Sequence, residues 1–134
     1  MKSIKRWVSG LIQRQATGQP IILIGIDYPS FSFAKYLQEE AKDIQIIAFI
    51  DEEPWTNKTQ LHGITVYYPS DLITLIDKHQ VKLVVTIEGQ LPLLAPALKE
   101  QVTASNALLV PLADHTSNEQ HVVALRQALL QHSQ

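Results

Sequence analysis

Short, continuous apolar runs that alternate with segments of helical periodicity constrain the fold of this chain most strongly. Such runs are typical of strands that are buried on both faces of a parallel sheet. Five of them predict strands, at residues 21–25, 45–51, 64–67, 82–87 and 107–110. Because proline cannot donate to a strand ladder, the last strand is predicted to stop at Pro111.

The segments between these runs predict helices. Phe33, Ala34, Leu37 and Ala41 share one face of a helix over residues 31–41. Further helices are predicted after a cap at Ser70 or Asp71, over residues 91–102 with Pro92 in the first turn, and from Ser117 or Asn118 onward. Residues 52–63 are polar and predict an exposed loop. This alternation and the right-handed crossover rule predict a Rossmann-like three-layer α/β sandwich with a five-stranded parallel sheet of order 3-2-1-4-5.

Length and composition limit the class of protein. The 134 residues are 46% hydrophobic and 18% charged, which suits one folded domain. The net charge of −2 contains no basic run, so we expect no nucleic-acid partner. The chain has no cysteine, which excludes disulfides, thiol nucleophiles and thiolate metal sites and suits a cytoplasmic location. No apolar stretch is long enough to cross a membrane, and no signal peptide is apparent.

The first 18 residues predict an amphipathic helix ahead of an α/β core at residues 20–134. Its apolar face comprises Ile4, Trp7, Val8, Leu11 and Ile12, and its other face carries Lys2, Lys5, Arg6 and Arg14. We expect this helix to pack on its own domain, on a second copy in a homodimer or on a protein partner; contact with a membrane surface is the alternative. The initiating methionine and the helical end suggest a complete small protein.

A candidate ligand site follows the first predicted strand. Strand, glycine turn, helix, strand and acid is the order of a dinucleotide-binding βαβ unit. The three glycine positions of that fingerprint hold Gly25, Asp27 and Ser30. The carboxylate of Asp27 would repel an anionic ligand, with a Coulomb energy of about 1 kcal/mol at ~4 Å in water and more when partly buried. The hydroxyls of Ser30 and Ser32 and the helix N-terminus favour an anion; alternatively, Asp27 or Ser30 caps the helix.

An acid at the predicted ribose position follows the second strand. Asp51 lies 21 residues after Ser30, close to the spacing of about 20 residues that is typical of the ribose-binding acid. The candidate cofactor-binding residues are Gly25, Asp27, Ser30, Phe31, Ser32, Asp51, Glu52, Thr86, Glu88 and Gly89. Asp27, Asp51 and Glu88 also allow a divalent cation or a cationic partner, but no metal-ligand spacing supports one, and no metal site is predicted.

No catalytic residue is predicted. None of the four tyrosines is followed by lysine at the Tyr-x-x-x-Lys spacing of short-chain dehydrogenases. Thr74 and Lys78 have that spacing but fall on a predicted surface helix. His115 and His121 are six residues apart and do not share a helix face, which argues against zinc.

Residues 46–89 resemble a known family. The segments AFIDEEP (48–54), HGITV (62–66) and VKLVV (81–85) are similar to motifs in the N-terminal Rossmann-like domain of bacterial polysaccharide-biosynthesis nucleotide-sugar dehydratases and epimerases. Some sugar acetyltransferases have similar N-terminal domains. The resemblance covers about residues 20–112 and implies the fold and a ligand such as NAD(P), another nucleotide or CoA. The family's glycine loop departs at Asp27 and Ser30, and the family's catalytic domain is absent from this sequence.

Three hypotheses follow. The first is a small non-catalytic nucleotide-binding module with a degenerate glycine loop. The second is an interaction or dimerisation protein that has lost its ligand, and the third is an oxidoreductase with dehydratase or epimerase chemistry.

Overall fold

The structure, a computed structural model, describes residues 18–89 and 94–132. The strands are β1 (Gln19–Ile24), β2 (Ile44–Ile50), β3 (Gln60–Leu61), β4 (Ile64–Tyr67), β5 (Leu83–Ile87) and β6 (Leu108–Leu112). The helices are α1 (Tyr28–Glu40), α2 (Leu72–His79), α3 (Pro96–Ala104) and α4 (Asn118–His132), with a 3-10 turn at Pro69–Asp71. The predicted N-terminal helix and Pro92 lie outside the described residues, apart from Gly18.

The six strands form one mixed sheet of order β3-β4-β2-β1-β5-β6. Five of them run parallel in the predicted order, with β1 between β2 and β5. The prediction of a purely parallel five-stranded sheet is wrong in one detail, because β3 pairs antiparallel with β4 at the edge. The predicted loop at residues 52–63 therefore contains a two-residue strand, which is too short to show a hydrophobic pattern.

Several boundaries differ from the prediction. Pro111 lies inside β6, which is tolerated because β6 is at the edge of the described sheet and pairs there with β5 alone. Helix α1 begins at Tyr28 instead of residue 31, because Pro29 occupies its first turn. The predicted side-chain cap of α2 at Asp71 is not formed, since the 3-10 turn already precedes the helix.

The cap of α4 is formed by Ser117. Its hydroxyl accepts a hydrogen bond from the amide of Gln120 at 3.1 Å, and the Gln120 side chain accepts one from the Ser117 amide at 3.3 Å. This reciprocal pair is a capping box, and it confirms the predicted start of the last helix.

Two apolar cores hold the three layers together. On one face, Phe33 and Leu37 of α1 and Leu125 of α4 pack on strands β1, β2 and β5. On the other face, Leu72 of α2 and Val102 of α3 pack on the same strands. The central strand β1 is buried from Ile21 to Ile24, so the sheet is covered on both sides, as the continuous apolar runs predict. No helix in the described residues combines the length and apolarity that a membrane span needs.

Candidate functional site

The turn after β1 contains a glycine, Gly25, whose backbone conformation favours glycine over other residues. Gly25 is buried and has a φ of +95°, a conformation that side chains other than hydrogen disfavour. Its amide donates a hydrogen bond of 2.8 Å to the carbonyl of Ile50, the last residue of β2. The end of β1 is thereby tied to the end of β2, where Asp51 follows.

Asp27 lies at the N-cap position of α1 without capping it. Its backbone is extended, its side chain makes no cap hydrogen bond, and it is exposed. The alternative in which Asp27 caps the helix is therefore wrong. A carboxylate here is favoured by the helix dipole, but it also occupies the place where an anionic ligand would approach the helix amides.

The next three predicted site residues differ in their surroundings. Ser30 is fully buried. The ring of Phe31 packs against the imidazole of His62, with ring centroids 4.2 Å apart. The hydroxyl of Ser32 accepts a hydrogen bond of 3.3 Å from the side-chain amide of Asn118. This bond joins the first turns of α1 and α4, a contact that nothing in the sequence indicates, because the two residues are 86 positions apart.

Asp51 is the one predicted site carboxylate that is buried, with 5% of its surface exposed. Its Oδ2 lies 2.7 Å from the hydroxyl of Thr56, whose single hydrogen is shared with the carbonyl of Glu53 at 2.8 Å, and it accepts a longer hydrogen bond of 3.4 Å from the amide of Glu53. Both bonds use the same oxygen, and Oδ1 accepts none from the described residues. The Asp51 amide donates to Tyr67 at 2.9 Å, which holds the end of β2 beside the end of β4. Glu52, next in sequence, is exposed.

The opposite wall follows β5 and β6. Thr86 is half-buried in β5, and Glu88 and Gly89 are exposed. The Glu88 amide donates to the carbonyl of Leu112 at 2.8 Å, so the two strand ends are joined. Gly89 has a φ of +85°, and a Cβ at this position would lie 2.9 Å from a carboxylate oxygen of Asp114. Asp114 follows the strand end at Pro111, a segment that the sequence places at the ligand edge, but it is not among the candidate cofactor-binding residues.

The edge of the sheet is rich in carboxylates. Asp27, Glu52, Glu88 and Asp114 are all exposed there. No group of three or more metal-ligating side chains is present within the described residues. The arrangement thus offers a buried acceptor in Asp51, a glycine turn and a helix N-terminus, surrounded by negative charge.

His121 of α4 is a buried histidine that packs against α1. It is 5% exposed, and its ring packs edge-on against Phe33 at 5.2 Å. Thr116 has one hydroxyl hydrogen, which it donates to the carbonyl of Ala113 at 3.0 Å. It therefore accepts from Nδ1–H of His121 at 3.1 Å, which assigns the tautomer of the neutral ring. Burial lowers the pKa of His121 below its ordinary value.

We expect the stability of the protein to fall as the pH is lowered through about 6.5, the ordinary pKa of histidine. Because the folded-state pKa of His121 is lowered, the unfolded chain binds the proton more readily. The stabilisation is complete above the unfolded pKa and is lost as the pH falls toward the folded one. Urea unfolding between pH 5 and 8 measures this slope, and His121→Phe should flatten it. His115→Asn, at an exposed ring, should leave the slope in place; an equal loss in both variants would contradict the assignment.

No protein-family model and no curated protein sequence matches the chain. Solved structures do match. RSP, a Rex-family repressor, aligns with a TM-score of 0.60 at 13% identity over 83% of this chain and 59% of RSP. UDP-D-quinovosamine 4-dehydrogenase from Vibrio fischeri aligns with a TM-score of 0.61 at 23% identity over 81% of this chain and 86% of that chain.

A third structure holds RSP with β-NAD⁺ and operator DNA, and it aligns with a TM-score of 0.58 at 12% identity over 82% of this chain and 57% of RSP. This chain thus spans less than two thirds of the repressor's length. At these identities the likeness concerns the fold alone. The chain has a Rossmann-like α/β fold whose structural neighbours include a protein solved with NAD⁺.

Proposed function

We propose that this chain is a small, non-catalytic Rossmann-like module that binds a nucleotide or dinucleotide at the carboxyl edge of its sheet. The observation that carries the proposal is the buried carboxylate of Asp51, which follows β2 beside the Gly25 turn. Its Oδ1 accepts no hydrogen bond from the described residues, so it is suited to accept those of a ribose diol. The RSP structure with NAD⁺ supports a nucleotide as the class of ligand.

The remaining predicted residues take places around that acceptor in the proposal. Gly25 and the start of α1, with Asp27, Phe31 and Ser32, lie next to the phosphates, and Ser30 is buried within that turn. Glu52 lies beside the ribose, and Thr86, Glu88 and Gly89 form the far wall. NAD(P) is the first candidate ligand; CoA and UDP-sugars are the others, and the dehydrogenase from Vibrio fischeri favours including UDP-sugars.

The non-catalytic part of the proposal rests on the residues that the described edge provides. Thr74 and Lys78, which have the spacing of a dehydrogenase pair, are exposed on α2, and their helix packs on a face of the sheet rather than at its edge. Hydride transfer to NAD⁺ from a UDP-sugar by the isolated chain would overturn this part and establish the oxidoreductase hypothesis.

Thermal unfolding in the presence of NAD, NADP, UDP-sugars, CoA and ATP tests the ligand. A ligand at 100 times its dissociation constant adds about 2.7 kcal/mol of stability, which is a shift of several degrees for a chain of this size. We expect one of these compounds to give such a shift. No shift with any of them at millimolar concentration would contradict the proposal and favour the interaction protein. In that case the N-terminal segment, most of which lies outside the described residues, is the first surface to test for a homodimer or a partner.

Asp27→Asn is expected to strengthen binding of the nucleotide by about 5- to 10-fold, because removing one negative charge near the phosphates relieves roughly 1 kcal/mol of repulsion. Stability should change little, since Asp27 makes no cap hydrogen bond. Titration at two salt concentrations measures the effect, which should shrink as the salt rises. Asp77→Asn, which changes an exposed side chain of α2, is the matched control. Equal gains in affinity in both variants would indicate a general charge effect.

A further inference from the structure

A cavity of about 780 Å³ opens at the end of the sheet opposite the nucleotide edge. It is lined by the first half of β2, the end of α1, the turn between β3 and β4, and His79 at the end of α2. Both faces of the sheet contribute to it, since α1 and α2 cover opposite sides. The cavity therefore wraps around an edge of β2, and we refer to it as the β2 notch.

The β2 notch exists because β4 is too short to cover its neighbour. Strand β2 has seven residues, but its pairs with β4 are only Phe49 with Val66 and Ile50 with Tyr67. The chain reverses just before β4 at His62 and Gly63, whose φ angles of +53° and +78° are those of a tight hairpin turn. Residues 44–47 of β2 consequently have no strand neighbour on that side among the described residues.

Such an edge has unsatisfied pairing capacity. Successive residues of a strand direct their peptide groups to alternate edges, so part of the 44–47 segment directs its N–H and C=O groups into the β2 notch. The Ile44 amide is already used, since it donates to the carbonyl of Ala41 at 3.1 Å, and the register with β1 shifts between Ile46 and Ala48. An exposed edge of this kind binds extended peptides through main-chain hydrogen bonds, while alternate side chains of the peptide contact the two flanking faces. Here one flank is Leu37 and Gln38 of α1, and the other is Ile47 and His79.

The charge of the β2 notch departs from that of the whole chain. Lys42 is the one charged side chain in its described lining, which also contains His62 and His79 but no aspartate or glutamate, although the chain carries a net charge of −2. Asp43, next to Lys42, is held elsewhere: its two carboxylate oxygens accept hydrogen bonds of 2.8 and 2.9 Å from Arg126 of α4. The lining therefore favours an acidic occupant.

The chain's own first residues are another candidate occupant, because they precede Gly18, which lines the notch. Residues 1–17 contain Lys2, Lys5, Arg6 and Arg14 and no acidic residue. They match the sign of the notch instead of complementing it. A separate acidic chain fits better on electrostatic grounds.

We propose that the β2 notch is an interaction site that takes an extended acidic segment of a partner protein as an additional strand beside residues 44–47. Main-chain pairing to β2 provides the binding, and the charge of Lys42 selects for acidic side chains. The site lies at the amino end of the strands and is independent of the nucleotide proposal.

The probe is a fluorescently labelled peptide with free pairing edges and alternating glutamate and valine, six residues long, capped at both ends. With the full-length protein, we expect saturable binding by anisotropy and slowed exchange of the amides of residues 45–47 that β1 does not bind. Lys42→Glu should weaken peptide binding about 10-fold. Lys99→Glu, which changes an exposed side chain of α3, should change it less than about twofold. The same peptide with lysine for glutamate, or with alternate amides N-methylated, should not bind.

Three results would overturn the proposal. One is the absence of binding at millimolar peptide, and another is an equal effect of Lys42→Glu and Lys99→Glu. The third is that the same amides of residues 45–47 already exchange as slowly as that of Phe49 without peptide, since the notch would then be filled by residues 1–17 or by a second copy. Nucleotide binding is measured separately at the other edge, so failure here leaves the nucleotide proposal unchanged.

Discussion

Asp51→Asn is expected to weaken binding of the nucleotide about 10- to 100-fold and to leave the fold in place. The substitution keeps the shape of the side chain and an oxygen that can accept from Thr56, but it removes the charge. A hydrogen bond to a charged group contributes about 1.5–3 kcal/mol, and each 1.4 kcal/mol is a factor of ten in affinity. The ribose hydroxyls proposed to bind Oδ1 would lose that contribution.

Isothermal titration with the ligand found by thermal unfolding measures the effect. Thr56→Val is the informative companion, because it removes a donor to Oδ2 and leaves the charge of Asp51. We expect it to cost about 0.5–1.5 kcal/mol of stability and to change affinity much less than Asp51→Asn. Glu100→Gln, exposed on α3, controls for net charge. An unchanged affinity in Asp51→Asn would show that the ribose role is wrong and that Asp51 serves only to hold the loop through Thr56.

Gly25→Ala is expected to lower the free energy of unfolding by about 1–2 kcal/mol and to abolish measurable nucleotide binding. At a φ of +95° any side chain meets the adjacent backbone, and the strain is of this order. Relief of the strain would shift the turn that carries Asp27 and break the 2.8 Å bond from the Gly25 amide to Ile50. The placement of Asp51 beside the turn would be lost with it.

Gly63→Ala provides the matched control. Gly63 also has a positive φ, of +78°, and a Cβ there would meet no atom within 4 Å. Its cost in stability should therefore be similar, about 1–2 kcal/mol, while nucleotide binding persists. Urea unfolding and titration of both variants separate strain from function. Loss of binding in both, or in neither, would contradict the role given to the Gly25 turn.

The five parallel strands and their order were predictable because each is a short apolar run, which reports burial on both faces without knowledge of its neighbours. The edge strand β3 was not predictable, since two residues carry no periodicity and its pairing is set by the turn at His62 and Gly63. Pro111 was predicted to end its strand because proline cannot donate a backbone hydrogen bond. The strand continues through it, since at a sheet edge the missing N–H has no cost.

Some residues of the candidate site were likewise predictable from the sequence and others were not. Gly25 and Asp51 are recognisable by their spacing, because the strand ends that bear them are joined by one helix. The neighbours of the predicted site residues could not be recognised in this way. Thr56 lies in a loop, where no spacing rule identifies a partner, and Asn118 and Asp114 lie far along the chain. That Ser30 is buried, and that Asp27 does not cap α1, also depend on how the helix is seated.

The sequence by itself therefore determined the fold class and the order of the five parallel strands, because these depend on local apolar patterns and a chirality rule. The edge proposed for a ligand is a prediction from the same patterns. Only the tertiary structure decided that Asp51 is buried beside Thr56, and that residues 44–47 of β2 have no strand neighbour next to Lys42 within the described part of the chain. Both depend on which distant residues are brought into contact. That information resides in the packing of the two cores and not in any single segment.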